Sequence, residues 1–169
     1  MSDKPDKQRQ IDAYNRMLEH VRHAQTRAPE QSRPVLAQLV DRAREKIVEL
    51  EELTVEEAEK IAEYLVRDLH DAAEYLAGDE ARELASWFKF DIQLIENRLL
   101  ELFASVANPT NLELLSLEER AAHGKEFHTG EITALATLRC LQCGQHVHFH
   151  TTGHIPPCPK CRHTVFCRA

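Results

Sequence analysis

Long hydrophobic runs are missing from this chain, and with them any candidate for a membrane-spanning helix. The first ten residues, MSDKPDKQRQ, are polar, so a secretory signal is also missing and a reducing cytoplasm is the expected setting. Glycine is scarce, at 5 of 169 residues, and no Gly-rich loop of the kind that cradles phosphates occurs. No serine or cysteine sits in a recognisable nucleophile motif. Excess positive charge is absent too, the formal net charge being −7. Residues 47–125 carry nineteen acidic against seven basic residues, which argues against a general nucleic-acid coat, because phosphate binding needs a concentrated basic face. The plain reading of that acidic stretch is a solvated helical face. Together these gaps point away from an enzyme and from a membrane protein.

What the chain has is a pattern of cysteines. Four of its five fall in two pairs, Cys140-Leu-Gln-Cys143 and Cys158-Pro-Lys-Cys161, with fourteen residues between the pairs. That spacing lets four thiolates close a tetrahedron around one metal ion. Gly144 supplies the left-handed residue such a turn favours, and Pro159 stiffens the second turn. Four protein ligands leave no position open for water or substrate, so the site reads as structural, with zinc favoured over iron. A helical bundle joined to a four-cysteine iron knot would suggest a rubrerythrin-type oxidoreductase, whose di-iron centre needs Glu-x-x-His motifs. Three residues before His20, His23, His70 and His123 stand Met17, His20, Arg67 and Arg120, so that chemistry is excluded.

Upstream of the cysteines the period is helical. Ile11, Tyr14, Leu18 and Val21 form one stripe within a helix from Gln8 to about Ala28, and Pro29 and Pro34 bracket a break. Val35 to about Glu52 makes a second helix. Thr54 with Glu57 is a capping box that opens a third, ending at Gly78. A fourth, from Asp79 to before Asn108-Pro109, contains Asp91, expected to be buried against Arg67 or Arg98; a short fifth ends near Gly124. The third and fourth helices are expected to fold back as an antiparallel hairpin, and their spacing also permits a coiled-coil pairing between two copies of the chain. The fold class is therefore α+β and mostly α: a helical region over residues 1–124, then a small β zinc ribbon over 125–169.

In that tail, Ile132, Leu135 and Leu138 lead into the first cysteine pair, Gln145 to His150 alternates as a strand, Thr151 to His154 reads as a turn, and His163 to Phe166 as a last strand, giving a three-stranded ribbon pinned by metal. His146, His148 and His150 share one face, expected to be a polar, solvated face rather than a second metal site. Cys167 lies outside the pair pattern and reads as a spare thiol. Arg139, Lys160, Arg162 and Arg168 are candidate phosphate contacts, and Phe149 and Phe166 candidate stacking residues, for a nucleic-acid-binding alternative.

Specific segments of the chain resemble the YbeL-like bacterial zinc-ribbon proteins. They are Gly130-Glu131-Ile132, Leu138-Arg139-Cys140-Leu-Gln-Cys143-Gly144 and Ile155-Pro-Pro-Cys158-Pro-Lys-Cys161, and upstream Ala43-Arg44-Glu45, Glu52-Leu53-Thr54, Arg67-Asp68-Leu69 and Ser86-Trp87. The resemblance implies a cytoplasmic bacterial protein with an N-terminal helical region and a C-terminal zinc ribbon. It carries no catalytic residues. The resulting expectation is a non-enzymatic interaction protein with one structural Zn2+ on Cys140, Cys143, Cys158 and Cys161, and with a protein or protein–RNA partner. A nucleic-acid-binding ribbon acting in transcription or translation is the alternative.

Overall fold

Capping and apolar spacing decide where the helices run. The computed structural model of the chain describes residues 3–29, 36–50, 53–77 and 126–169; the expected fourth and fifth helices, the Gly78-Asp79 hairpin and Asp91 lie outside these residues. Helix α1 spans Asp3–Arg27, α2 Leu36–Glu49 and α3 Val55–Ala77. Helix α1 begins five residues before Gln8 and takes Pro5 into its first turn. A proline is tolerated there because the first N–H groups of a helix have no intrahelical acceptor. The capping box forms as expected at the start of α3: the Glu57 amide donates to Thr54 Oγ1 at 3.2 Å, and the Thr54 amide donates to Glu57 Oε2 at 3.0 Å.

The three helices bury their stripes against one another. Tyr14, Met17, Leu18 and Val21 of α1 meet Leu39, Val40, Ala43 and Ile47 of α2 and Ile61, Leu65 and Leu69 of α3 in one core. No helix among the described residues is long and apolar enough to cross a membrane.

Among the described residues six short strands follow: β1 Phe127–His128, β2 Ile132–Thr133, β3 Ala136–Cys140, β4 His146–Phe149, β5 Gly153–His154 and β6 Val165–Arg168. Four form an antiparallel sheet in the order β1-β6-β3-β4, and β2 pairs with β5. The three-stranded expectation is thus corrected. The extra strands β1, β2 and β5 are two residues long, too short to leave an alternating pattern. The expected turn at Thr151–His154 gives up its last two residues to β5, which lies against α1: Thr152 Oγ1 donates to Asn15 Oδ1 at 2.6 Å.

One face of the larger sheet buries Phe127, Leu138, Phe149 and Phe166 in a second core. Ile132, Ala134 and Leu135 do not belong to it. They pack into the core of the helices instead, so the segment entering β3 is shared between the two layers.

Candidate metal centre

The two cysteine turns are built alike, residue for residue. In the first, the Cys140 amide donates to Gln145 O at 2.9 Å and the Gly144 amide donates to Cys140 O at 3.0 Å. In the second, the Cys158 amide donates to His163 O and the Arg162 amide to Cys158 O, both at 2.9 Å. The residue after each second cysteine is left-handed: Gly144 has φ 74° and Arg162 φ 66°. Pro159, whose missing N–H this pattern does not use, sits directly after Cys158. The Leu141 amide donates to Val165 O at 3.1 Å, which fixes the first turn against β6.

These turns aim four sulfurs at one point. Cys140 Sγ lies 3.5 Å from Cys161 Sγ, Cys143 Sγ lies 3.6 Å from Cys158 Sγ, and all four sulfurs fall within 4.8 Å of one another. Zinc–sulfur bonds of about 2.3 Å in a tetrahedron require sulfur–sulfur edges of roughly 3.8 Å, so the donor set fits a zinc ion. Cys140 and Cys158 are buried, while Cys143 and Cys161 are half-buried against the apolar core of the sheet.

The Cys158 and Cys161 thiols are shifted in opposite directions. Burial pushes the Cys158 thiol up, but the amides of Cys161 and Lys160 and the thiols of Cys143 and Cys161 outweigh it and bring it down to about 6. For Cys161 the His163 amide acts downward, yet burial and the three neighbouring thiols carry it up to about 12. The first thiolate is welcome and the next must form beside negative charge, the situation a divalent cation relieves.

Other sequence-derived candidates fall elsewhere. Cys167 is half-buried on β6, with Arg139 Nη2 3.6 Å from its Sγ, and is not part of the sulfur cluster. His146 and His148 are exposed on β4, edge to face with ring centres 6.3 Å apart, while His150 lies past the strand end. Among the described residues the four cysteines are the single group of three or more such side chains able to hold an ion. Phe149 and Phe166 are core residues and cannot stack on a base; Arg168 is half-buried, with Nε 3.5 Å from Asp71 Oδ2 and its guanidinium 5.6 Å from the Phe127 ring centre. Of the candidate phosphate contacts, Arg139, Lys160 and Arg162 remain exposed.

Sequence reasoning missed a buried charged clasp between helix and ribbon. Among the described residues, Arg67 Nε donates to Asp68, its Nη1 to Glu131 and its Nη2 to Ile132 O, and its guanidinium lies 4.0 Å from the Phe127 ring centre. Asp68 also accepts from Tyr14 Oη at 2.7 Å and from the Ala134 amide at 3.0 Å. Burial opposes the Arg67 charge, but Asp68 and Glu131 outweigh it and hold the guanidinium protonated. Burial first, then the Asp68 charge, lifts the Tyr14 phenol well above its ordinary range. One signal was present in the sequence: Asp68 interrupts the apolar stripe of Ile61, Leu65, Leu69 and Ala72.

Paired cysteine turns facing one another from an antiparallel sheet define a zinc ribbon, here seated on a helical layer. The chain belongs to the family described as zinc-ribbon containing domain, whose model matches residues 23–169. It is a YbeL-like zinc-ribbon protein, and Cys140, Cys143, Cys158 and Cys161 are positioned to bind one metal ion, consistent with one structural zinc. The uncharacterized protein YbeL of Escherichia coli strain K12 is 30% identical over 77 residues, 46% of this chain and 48% of that protein. The YbeL proteins of Escherichia coli O6:H1 and O157:H7 match to the same extent. The chain thus spans about half the length of the curated relatives it matches. No solved structure shows a significant match.

Proposed function

We propose that this chain is a non-enzymatic cytoplasmic interaction protein whose zinc ribbon is a rigid head that binds a protein or protein–RNA partner. The observation that carries the reading is the division of the ribbon into a closed metal site and an open apex. Four sulfurs would fill a tetrahedral site, while Leu141, 49% exposed, and its neighbour Gln142 on the first turn are exposed, as are Pro159, Lys160 and Arg162 on the second. Leu141 offers a partner an apolar anchor on a turn that the hydrogen bond from the Leu141 amide to Val165 O fixes against β6. Burial of Phe149, Phe166 and Arg168 leaves the nucleic-acid alternative with less to use.

Affinity capture with the zinc-loaded chain from native lysate, with and without nuclease, tests this. The expected result is a specific partner retained after nuclease treatment and lost with Leu141→Asp. Capture that disappears with nuclease and persists in Leu141→Asp supports the nucleic-acid alternative, and the absence of any specific partner overturns the interaction reading.

A further inference from the structure

The outer face of the four-stranded sheet carries, beside a cleft, a positive charge with no carboxylate partner among the described residues. Register sets Arg139 of β3 directly opposite His146 of β4, with Thr137 opposite His148. Thr137, Arg139, His146 and Ala169 line a cleft of about 330 Å³. Thr137 is buried, and its Oγ1 lies 3.1 Å from His148 Nδ1. Arg139 is exposed, and no carboxylate among the described residues lies within ion-pair distance of it; its recorded side-chain contact is with the Cys167 sulfur. Arg67 and Arg168 meet carboxylates, whereas Arg162 on the second cysteine turn, like Arg139, has none among the described residues, but only Arg139 lines the cleft. In a chain of net charge −7, an exposed guanidinium with no acid beside it among the described residues, next to an imidazole and a cleft, is a feature that calls for an anion.

We propose that this cleft is a binding site for a phosphate group, with the Arg139 fork as its principal donor and His146 as a second. A guanidinium presents several N–H groups in a plane that matches two phosphate oxygens at once. The volume exceeds that of free phosphate and leaves room for the organic part of a small phosphomonoester. This site lies on the sheet face, apart from the Leu141 apex, and its existence is independent of the partner proposed above.

The test is a titration of zinc-loaded, ¹⁵N-labelled full chain with orthophosphate and, separately, with adenosine monophosphate, against sodium chloride at matched ionic strength. The readouts are the Arg139 Nε and His146 ring resonances. Saturable shifts confined to Thr137, Arg139 and His146 are expected, with binding weakened about tenfold or more in Arg139→Gln and unchanged in Lys160→Gln. His146→Ala, expected to weaken binding less, gives a second handle if the first variant unfolds. Tighter binding of the nucleotide assigns the cleft to a phosphomonoester; equal binding assigns it to the phosphate group alone. Either supports the site. It is overturned if chloride gives the same shifts, if Arg139→Gln leaves them intact, or if neither phosphate probe saturates. A response to single-stranded RNA alone, spread over Lys160 and Arg162, overturns it in favour of an extended nucleic-acid surface.

Discussion

Arg162 is the one non-glycine residue with a positive φ among the described residues, and it occupies in the second cysteine turn the position that Gly144 occupies in the first. The left-handed conformation brings Cβ toward the neighbouring carbonyl and costs an L-residue about 1–2 kcal/mol, which glycine escapes. Two substitutions therefore act in opposite directions. A Cβ added at Gly144 meets nothing within 4 Å, so Gly144→Ala pays only the backbone term and is expected to destabilise by about 1 kcal/mol. Arg162→Gly removes that strain but loosens the unfolded chain, for a net gain of roughly 0–1 kcal/mol. Urea unfolding of the zinc-loaded protein checks the pair; a loss of stability in Arg162→Gly shows that the arginine side chain holds the turn by contacts of its own. The glycine was legible from sequence, since Gly144 follows a C-x-x-C pair. The strained arginine was not, because its conformation is imposed by the sulfurs and amides that the turn must aim.

At the scale of elements, local signals were the legible ones. Helix α3 starts where Thr54 and Glu57 say it should, and α2 follows its apolar spacing, because capping and amphipathicity are fixed by neighbours three and four residues away. The two-residue strands β1, β2 and β5 exist only through pairing with distant chain, Phe127 with Phe166 and Ile132 with His154, and no short window contains that information. The cap offers a pH test. The Thr54 amide, more than the Arg9 charge, holds the Glu57 carboxyl below its ordinary value of 4.5. A carboxyl depressed in the folded state stabilises fully above its unfolded value and loses that contribution as pH falls through the lower folded value. Glu57→Gln should therefore flatten the acid limb of a stability profile below about pH 4.5 while changing little on the alkaline side. Thr54→Ala should cost about 1 kcal/mol. Thermal melts across pH 3–8 decide it: an unchanged acid limb in Glu57→Gln assigns the limb to other carboxylates.

For the whole molecule, the question is whether zinc holds together the ribbon alone or the ribbon and helices as one unit. The cysteine spacing made the metal site readable in advance, and the helical period made the helices readable, but their junction was hidden because it joins residues about sixty positions apart. Arg67 and Asp68 on α3 meet Glu131, Ile132 and Ala134, while Arg168 at the end of β6 meets Asp71 of α3. Strand β6 is held in register by β3, which ends in Cys140, so its placement depends on the metal-closed turns. A ribbon of this size buries too little apolar surface to stand without its ion. Chelation should therefore do two things. The helical circular dichroism should survive in large part at 20 °C, because Tyr14, Met17, Leu18, Ile47 and Leu65 form a core of their own. Its melting temperature should nevertheless drop by several degrees, because Asp68 and Arg67 then lose ribbon partners and face burial with fewer hydrogen bonds. Asp68→Ala in the zinc-loaded protein should mimic part of this, costing about 3–5 kcal/mol by leaving Arg67 and Tyr14 without their shared acceptor. If coupling runs through the clasp, chelation should lower the melting temperature of Asp68→Ala by less than it lowers that of the wild type. Equal drops in the two proteins would show that zinc reaches the helices by another route, through Ile132, Ala134 and Leu135 in the shared core.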